Sequence, residues 1–151
     1  VQDAGVVREL ERGLNLTDGC SDFRELRERF DEMYSGHGIP YAHSYANEVV
    51  TKAVCIFRMV RGDLRQAIIS GVNMGRDTDC MTAVAAGISG ALTGSAELPE
   101  AWVDQVDHAA SVNPHTNTQR SLREHADGLY DAFTARLARM RSYISTMEES
   151  V

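Results

Sequence analysis

The stretch Gly71-Val72-Asn73-Met74-Gly75-Arg76-Asp77-Thr78-Asp79-Cys80-Met81-Thr82-Ala83-Val84-Ala85-Ala86-Gly87-Ile88-Ser89-Gly90-Ala91-Leu92-Thr93-Gly94 decides the fold. It opens as a glycine-bearing loop, sets two aspartates one residue apart, and runs on as a helix of very small side chains. Asp77, Thr78 and Asp79 are residue types that start helices, and the positive end of the helix dipole tolerates carboxylates there. Gly75 permits a backbone conformation closed to other residues, so the loop can fold back over whatever the carboxylates hold. Oxygen ligands at i and i+2 of a tight turn can converge on Mg²⁺, Mn²⁺ or Ca²⁺. The same pair also reads as plain capping of a helix start, and two residues do not choose between the readings. An EF-hand is a poor fit, because Met81 and Thr82 stand where a third oxygen ligand and the glycine belong.

Within the helix, Ala83, Ala86, Gly87, Gly90, Ala91 and Gly94 fall at i, i+3, i+4, i+7, i+8 and i+11 and form one face. Each glycine there costs about 1 kcal/mol relative to alanine. The expected return is close approach, with a neighbouring backbone lying against this face.

Towards the N-terminus, Leu64, Ala67, Ile68 and Val72 recur at helical spacing, and Arg61-Gly62-Asp63 ends one helix and caps the next. Ala46, Val49, Val50, Ala53, Ile56, Phe57 and Val60 give the preceding helix a buried face that encloses Cys55 as an inert thiol. Tyr41, His43, Ser44, Tyr45 and Asn47 lie at the start of that helix. They read either as a substrate-facing edge, with His43 as its candidate, or as a start capped by Ser44. Ser35 to Pro40 breaks the pattern with two glycines and a proline. Residues 3 to 35 read as two charged helices with Leu10, Leu14, Phe23, Leu26, Phe30 and Met33 as the apolar stripe.

Towards the C-terminus, Pro99 and Glu100 start a helix that Trp102, Val103 and Val106 are expected to dock on the core, with His108 at the surface. Asn113 to Asn117 is a polar turn. Residues 119 to 147 form a long helix whose Leu122, Ala126, Leu129, Phe133, Leu137, Met140, Ile144 and Met147 make a near-heptad seam. That seam calls for a partner: the same subunit, a second copy giving a homo-oligomer, or a separate N-terminal fragment. Period-two runs are absent, so the chain is expected to be all-α, a compact multi-helix bundle.

The 151 residues suffice for about one domain, and 43% hydrophobic with 25% charged residues is ordinary globular composition. A net charge of -7 argues against a nucleic-acid partner. No apolar run approaches a membrane span, and Cys20, Cys55 and Cys80 fit neither a disulfide framework nor a zinc pattern. A reducing, cytoplasmic setting is the expectation. No phosphate-cradling P-loop and no Ser-His-Asp order is present.

Asn73-x-Gly75-x-Asp77-Thr78-Asp79, the Ala/Gly-rich helix to Gly94, and Leu98-Pro99-x-x-Trp102 together resemble the C-terminal signature of the ADP-ribosylglycohydrolase family. That family includes ADP-ribosyl-arginine hydrolases, dinitrogenase-reductase-activating glycohydrolases and J1-type crystallins. The resemblance is specific over roughly residues 45 to 103 and looser from Asn113 to Phe133, with nothing diagnostic before Tyr34. It implies an all-helical enzyme with a binuclear Mg²⁺ or Mn²⁺ centre gripping the ribose beside an N-glycosidic bond to ADP-ribose. Asp77 and Asp79 match metal ligands. Cys80 stands where a ligating threonine is usual, so it either ligates or faces the core. Arg76 replaces a second glycine and either contacts a phosphate or is solvated; Gly75, Arg76 and His43 are the substrate-side candidates.

The family's N-terminal motifs, roughly Gly-Asp-x-x-Gly and Thr-Asp-Asp, do not occur here. The chain therefore reads as the C-terminal half of such an enzyme, with the catalytic acid or base in the other half and turnover dependent on it. The resemblance leaves three readings: hydrolysis of ADP-ribose from a modified protein or small molecule, hydrolysis of another ribosyl or nucleoside-like substrate, or a non-catalytic crystallin-like or ADP-ribose-binding relative.

Overall fold

The computed structural model describes residues 4–34, 45–115 and 118–149. The break at Ser35 to Pro40 and the candidates Tyr41, His43 and Ser44 lie outside the described residues, as do Thr116 and Asn117. Seven helices and no strand occur among the described residues, so the all-α expectation holds.

The chain forms two compact units, Val1–Leu98 and Pro99–Val151. The first holds α1 (Ala4–Asp18), α2 (Phe23–Tyr34), α3 (Ala46–Met59), α4 (Leu64–Asn73) and α5 (Thr78–Thr93). Its core is built where the apolar period predicts: Leu26, Phe30 and Met33 on α2 meet Val49, Ala53 and Ile56 on α3. Ala67, Met74, Met81 and Ala85 complete it from α4, the loop and α5. Burying a side chain such as Leu26, Phe30 or Ile56, each fully enclosed, stabilises by about 1.5–3 kcal/mol. Cys55 is buried as expected, and burial pushes its thiol up to about 11.

Arg58 on α3 grips Asp18 at the end of α1 with Nε and Nη2 at 2.7 and 2.9 Å from the two carboxylate oxygens. Glu9 on α1 accepts from the Tyr34 hydroxyl at 2.5 Å and from the Asn47 amide. These polar links stitch α1 to the ends of α2 and α3. Before α2, Ser21 N–H and Oγ donate to Glu25, which also pairs with Arg29, and these bonds hold the Glu25 carboxyl down to about 2. A carboxylate depressed in the folded state adds stability above its ordinary value of 4.5 and loses it as pH falls towards 2. Glu25→Gln should therefore flatten the decline of the thermal midpoint between pH 5 and pH 2, to an extent limited by the exposure of the pair.

Three expectations for buried faces are corrected. On α3, Val50 is exposed, while Glu48, Thr51 and Lys52 are fully buried, so the enclosed face is rotated and carries charge. On α4, Val72 is exposed, and the buried positions are Leu64, Ala67, Ser70 and Gly71. On α5, the face expected against a neighbouring backbone is open. Ala83, Gly87, Ala91 and Gly94 are exposed, and a Cβ at Gly87 or Gly94 would meet nothing within 4 Å. The buried line is Met81, Ala85 and Ser89. Close approach occurs instead through Gly71 on α4, where a Cβ would lie 2.3 Å from Thr82 Oγ1 and 2.9 Å from Thr82 Cα.

The second unit holds α6 (Glu100–Val112) and α7 (Leu122–Glu148). No residue of α6 is buried: Trp102 and Val103 are half-buried and Val106 is exposed. Asp104, Gln105 and Asp107 interrupt its apolar positions, so its apolar stripe is short. His108 is exposed, as expected. Asp107 accepts from Leu122 N–H at 2.7 Å and ties α6 to the head of α7. α7 begins three residues later than the expected start at 119, with the first seam residue Leu122, because Ser121 and Glu124 form a reciprocal capping box. Along its seam, Leu122, Leu129, Phe133, Met140, Ile144 and Met147 are exposed and Leu137 is half-buried.

Candidate metal centre

The residues between α4 and α5 form a short, strained loop. Gly75 and Arg76 both take left-handed backbone angles, at φ 87° and 64°. A Cβ at Gly75 would meet nothing within 4 Å, so the glycine answers a conformational need, and the loop is open to approach on that side. For Arg76 the same angle costs on the order of 1–2 kcal/mol. Asp77 follows at φ -81° and ψ 71°, and Thr78 N–H donates to Arg76 C=O at 3.0 Å, which closes an inverse γ-turn around the aspartate. The turn aims two alternate side chains to one side of the helix start.

Asp77 is the N-cap of α5, yet its carboxylate caps no backbone N–H. Plain capping therefore does not account for it. Ligand atoms of Asp77, Asp79 and Cys80 instead lie within 4.8 Å of one another. A hydrogen bond with Asp77, then the amides of Cys80 and of Asp79 itself, hold the Asp79 carboxyl below the usual range. The Cys80 thiol is pushed up, first by its hydrogen bond to Asp77 and then by the charge of that carboxylate. Cys80 is exposed and belongs to this cluster, so the alternative that it faces the core is corrected.

The donor set can be tested against a divalent ion from its own chemistry. Two convergent carboxylates, one of them, Asp77, with no backbone N–H to cap, suit Mg²⁺ or Mn²⁺, which prefer oxygen. The thiol does not add to that preference: it is soft, and Asp77 favours its protonated form. The carboxylate pair fits the ion, while Cys80 is the weak third donor. No other group of three metal-binding side chains occurs among the described residues.

Sequence reasoning missed Glu48. It is fully buried on α3 and receives Arg76 in a bidentate pair, Nε to Oε1 at 2.6 Å and Nη2 to Oε2 at 3.0 Å. Lys52, one turn on and also fully buried, brings Nζ to 3.0 Å from Glu48 Oε1 and lies 5.1 Å from the Tyr34 ring centre. Burial lowers the Lys52 ammonium from its ordinary value, with Glu48 opposing. The guanidinium of Arg76, read from sequence as phosphate-facing or solvated, is thus engaged with a carboxylate. A Glu-Lys pair at i and i+4 on the apolar face of α3 was the signal available. Gly75, Arg76, Asp77, Asp79 and Cys80 share one loop; His43 lies outside the described residues.

No curated protein and no solved structure matches the chain significantly. The family model for ADP-ribosylglycohydrolase matches residues 2–139, which takes in the Asp77 loop and extends through α1 and α2, where the sequence carried nothing diagnostic. An all-helical chain whose two aspartates converge at the head of an Ala/Gly-rich helix, matched over nearly its whole length, belongs to the ADP-ribosylglycohydrolase family.

Proposed function

We propose that this chain acts in metal-dependent hydrolysis of an N-glycosidic bond to ADP-ribose, contributing part of a binuclear Mg²⁺ or Mn²⁺ site. The reading rests on family membership, which makes it a glycohydrolase relative, and above all on the convergence with Asp79 of an Asp77 carboxylate that caps no backbone N–H. Asp77 and Asp79 hold the ion, with Cys80 beside them. A bound divalent ion supplies Lewis-acid polarisation of ribose hydroxyls and of the attacking water. Gly75 leaves its side of the loop open for a ribose or phosphate oxygen, Arg76 borders it, and His43 is the candidate on a second substrate edge. An N-terminal half of the same enzyme completes the ligand set and brings the acid or base; without it the chain binds metal and does not turn over.

Calorimetric titration with Mn²⁺ and Mg²⁺ tests this. Asp77→Ala should weaken binding at least about tenfold, since losing even a group that only hydrogen-bonds a metal ligand costs that much. Equal affinities in wild type and variant would remove the metal reading. Release of ADP-ribose from a modified protein, measured with an N-terminal half added, should depend on Mn²⁺ or Mg²⁺. A non-catalytic, ADP-ribose-binding relative is the second reading, favoured by the thiol of Cys80 where the resemblance implies a hydroxyl ligand. Metal and ADP-ribose binding without release of product supports it.

A further inference from the structure

Arg76 is a costly choice at its position. It holds a left-handed backbone angle of φ 64° that glycine adopts freely, directly before the candidate ligand Asp77. Such a conformation persists only where the surroundings over-determine it. Here they do so through one side chain. Both oxygens of Glu48 are engaged by the Arg76 fork at 2.6 and 3.0 Å, and Glu48 is itself immobilised, with no exposed surface and Lys52 Nζ at 3.0 Å. The Arg76 side chain is 26% exposed, so the pair runs from the enclosed face of α3 to the edge of the loop. A bidentate guanidinium-carboxylate pair fixes orientation as well as distance. Gly75 supplies no side chain, so Arg76 is the last side-chain anchor before the aspartates.

We propose that Glu48 is a positioning residue for the metal-binding loop, acting through Arg76 to hold Asp77 and Asp79 in the convergent geometry that an ion requires. The role rests on the metal reading given above for its purpose, though the restraint itself is independent of any ion. It makes glycine, the residue best suited to the backbone angle, the wrong residue for the site.

The sign of one substitution decides the matter. Arg76→Gly relieves the backbone angle and leaves the Glu48–Lys52 pair in place, so folding is retained. If Glu48 acts through Arg76, amide hydrogen exchange over residues 75–80 should rise roughly tenfold, the equivalent of one lost charge-assisted pair, while exchange in α3 stays unchanged. Mn²⁺ affinity, followed by the electron-spin signal of the free ion, should fall by a similar factor. Arg76→Lys keeps the charge but not the fork, and should give exchange between wild type and the glycine variant. Glu48→Gln should loosen the loop as Arg76→Gly does, and the double variant should loosen it no further.

If Arg76→Gly slows loop exchange or tightens Mn²⁺ binding, backbone strain outweighs the side-chain anchor and the proposal is overturned. Unchanged exchange and unchanged affinity overturn it equally, with the metal reading intact. Faster loop exchange in a protein whose wild type takes up no Mn²⁺ leaves Glu48 as the restraint on the loop and removes the metal reading instead.

Discussion

Glu48→Ala is expected to destabilise the protein by about 3–5 kcal/mol, the range found when one partner of a buried ion pair is removed. Glu48 and Lys52 have no exposed side-chain surface, and the carboxylate faces two cations at once. Removing it leaves the Lys52 ammonium enclosed with Tyr34 and Phe30, whose rings lie 5.1 and 5.9 Å from Nζ. Those contacts, worth about 2 kcal/mol when desolvated, do not replace a counter-ion. Against a typical domain stability of roughly 5–15 kcal/mol, the loss should be plain in urea unfolding. Lys52→Met in the same background should restore much of it, because the unpaired charge is then gone.

The pH dependence of that variant follows from the same cause. Burial already lowers the Lys52 ammonium below its ordinary value of 10.5, so the unfolded chain binds the proton more tightly than the folded one. Stability from this group is therefore lost as pH falls below 10.5 and regained as pH rises towards it. The Glu48→Ala defect should shrink between pH 7 and pH 10. A defect below 1 kcal/mol, or one indifferent to pH, would place Lys52 in contact with water.

Gly71→Ala should cost roughly 3 kcal/mol, the upper end for overpacking a closed contact. The added methyl meets Thr82 Cα at 2.9 Å, and backbone cannot turn aside as the end of a side chain can. Thr82 is itself held, its hydroxyl donating to Thr78 C=O in the first turns of α5. The contact lies at the base of the loop: Gly71 is in the last turn of α4, and the loop re-enters helix at Thr78. Pushing the two helices apart there moves the ends between which Gly75, Arg76 and Asp77 are strung. The expected result is a lower thermal midpoint together with weaker Mn²⁺ binding, whereas Gly87→Ala, free of any clash, should leave Mn²⁺ binding unchanged and raise the midpoint.

How far the sequence could be read depended on the range of each interaction. Helix existence follows from period and punctuation within a dozen residues, and α2, α4 and α5 stand where Leu26-Phe30-Met33, Asp63 and Thr78 put them. The candidate metal pair was equally local, since two aspartates and a glycine within five residues carry the whole signal. Where a neighbour decides, reading by period failed. Val50 and Val72 were assigned inward by hydrophobicity, yet Glu48, Lys52 and Gly71 took the enclosed places. The small residues of α5 were assigned to a contact that one glycine of α4 makes in their stead.

By itself, the sequence determined an all-helical chain, the order of its helices, and an acidic pair at the head of α5, because hydrogen bonds four residues apart and side chains two residues apart are local matters. Only the tertiary structure decided that Asp77 is free of capping, that Cys80 faces the same cluster, and that Arg76 spans 28 positions of sequence to Glu48. Such a pair is invisible in a string. Its stability comes from enclosure, and enclosure is created by the helices that pack around it.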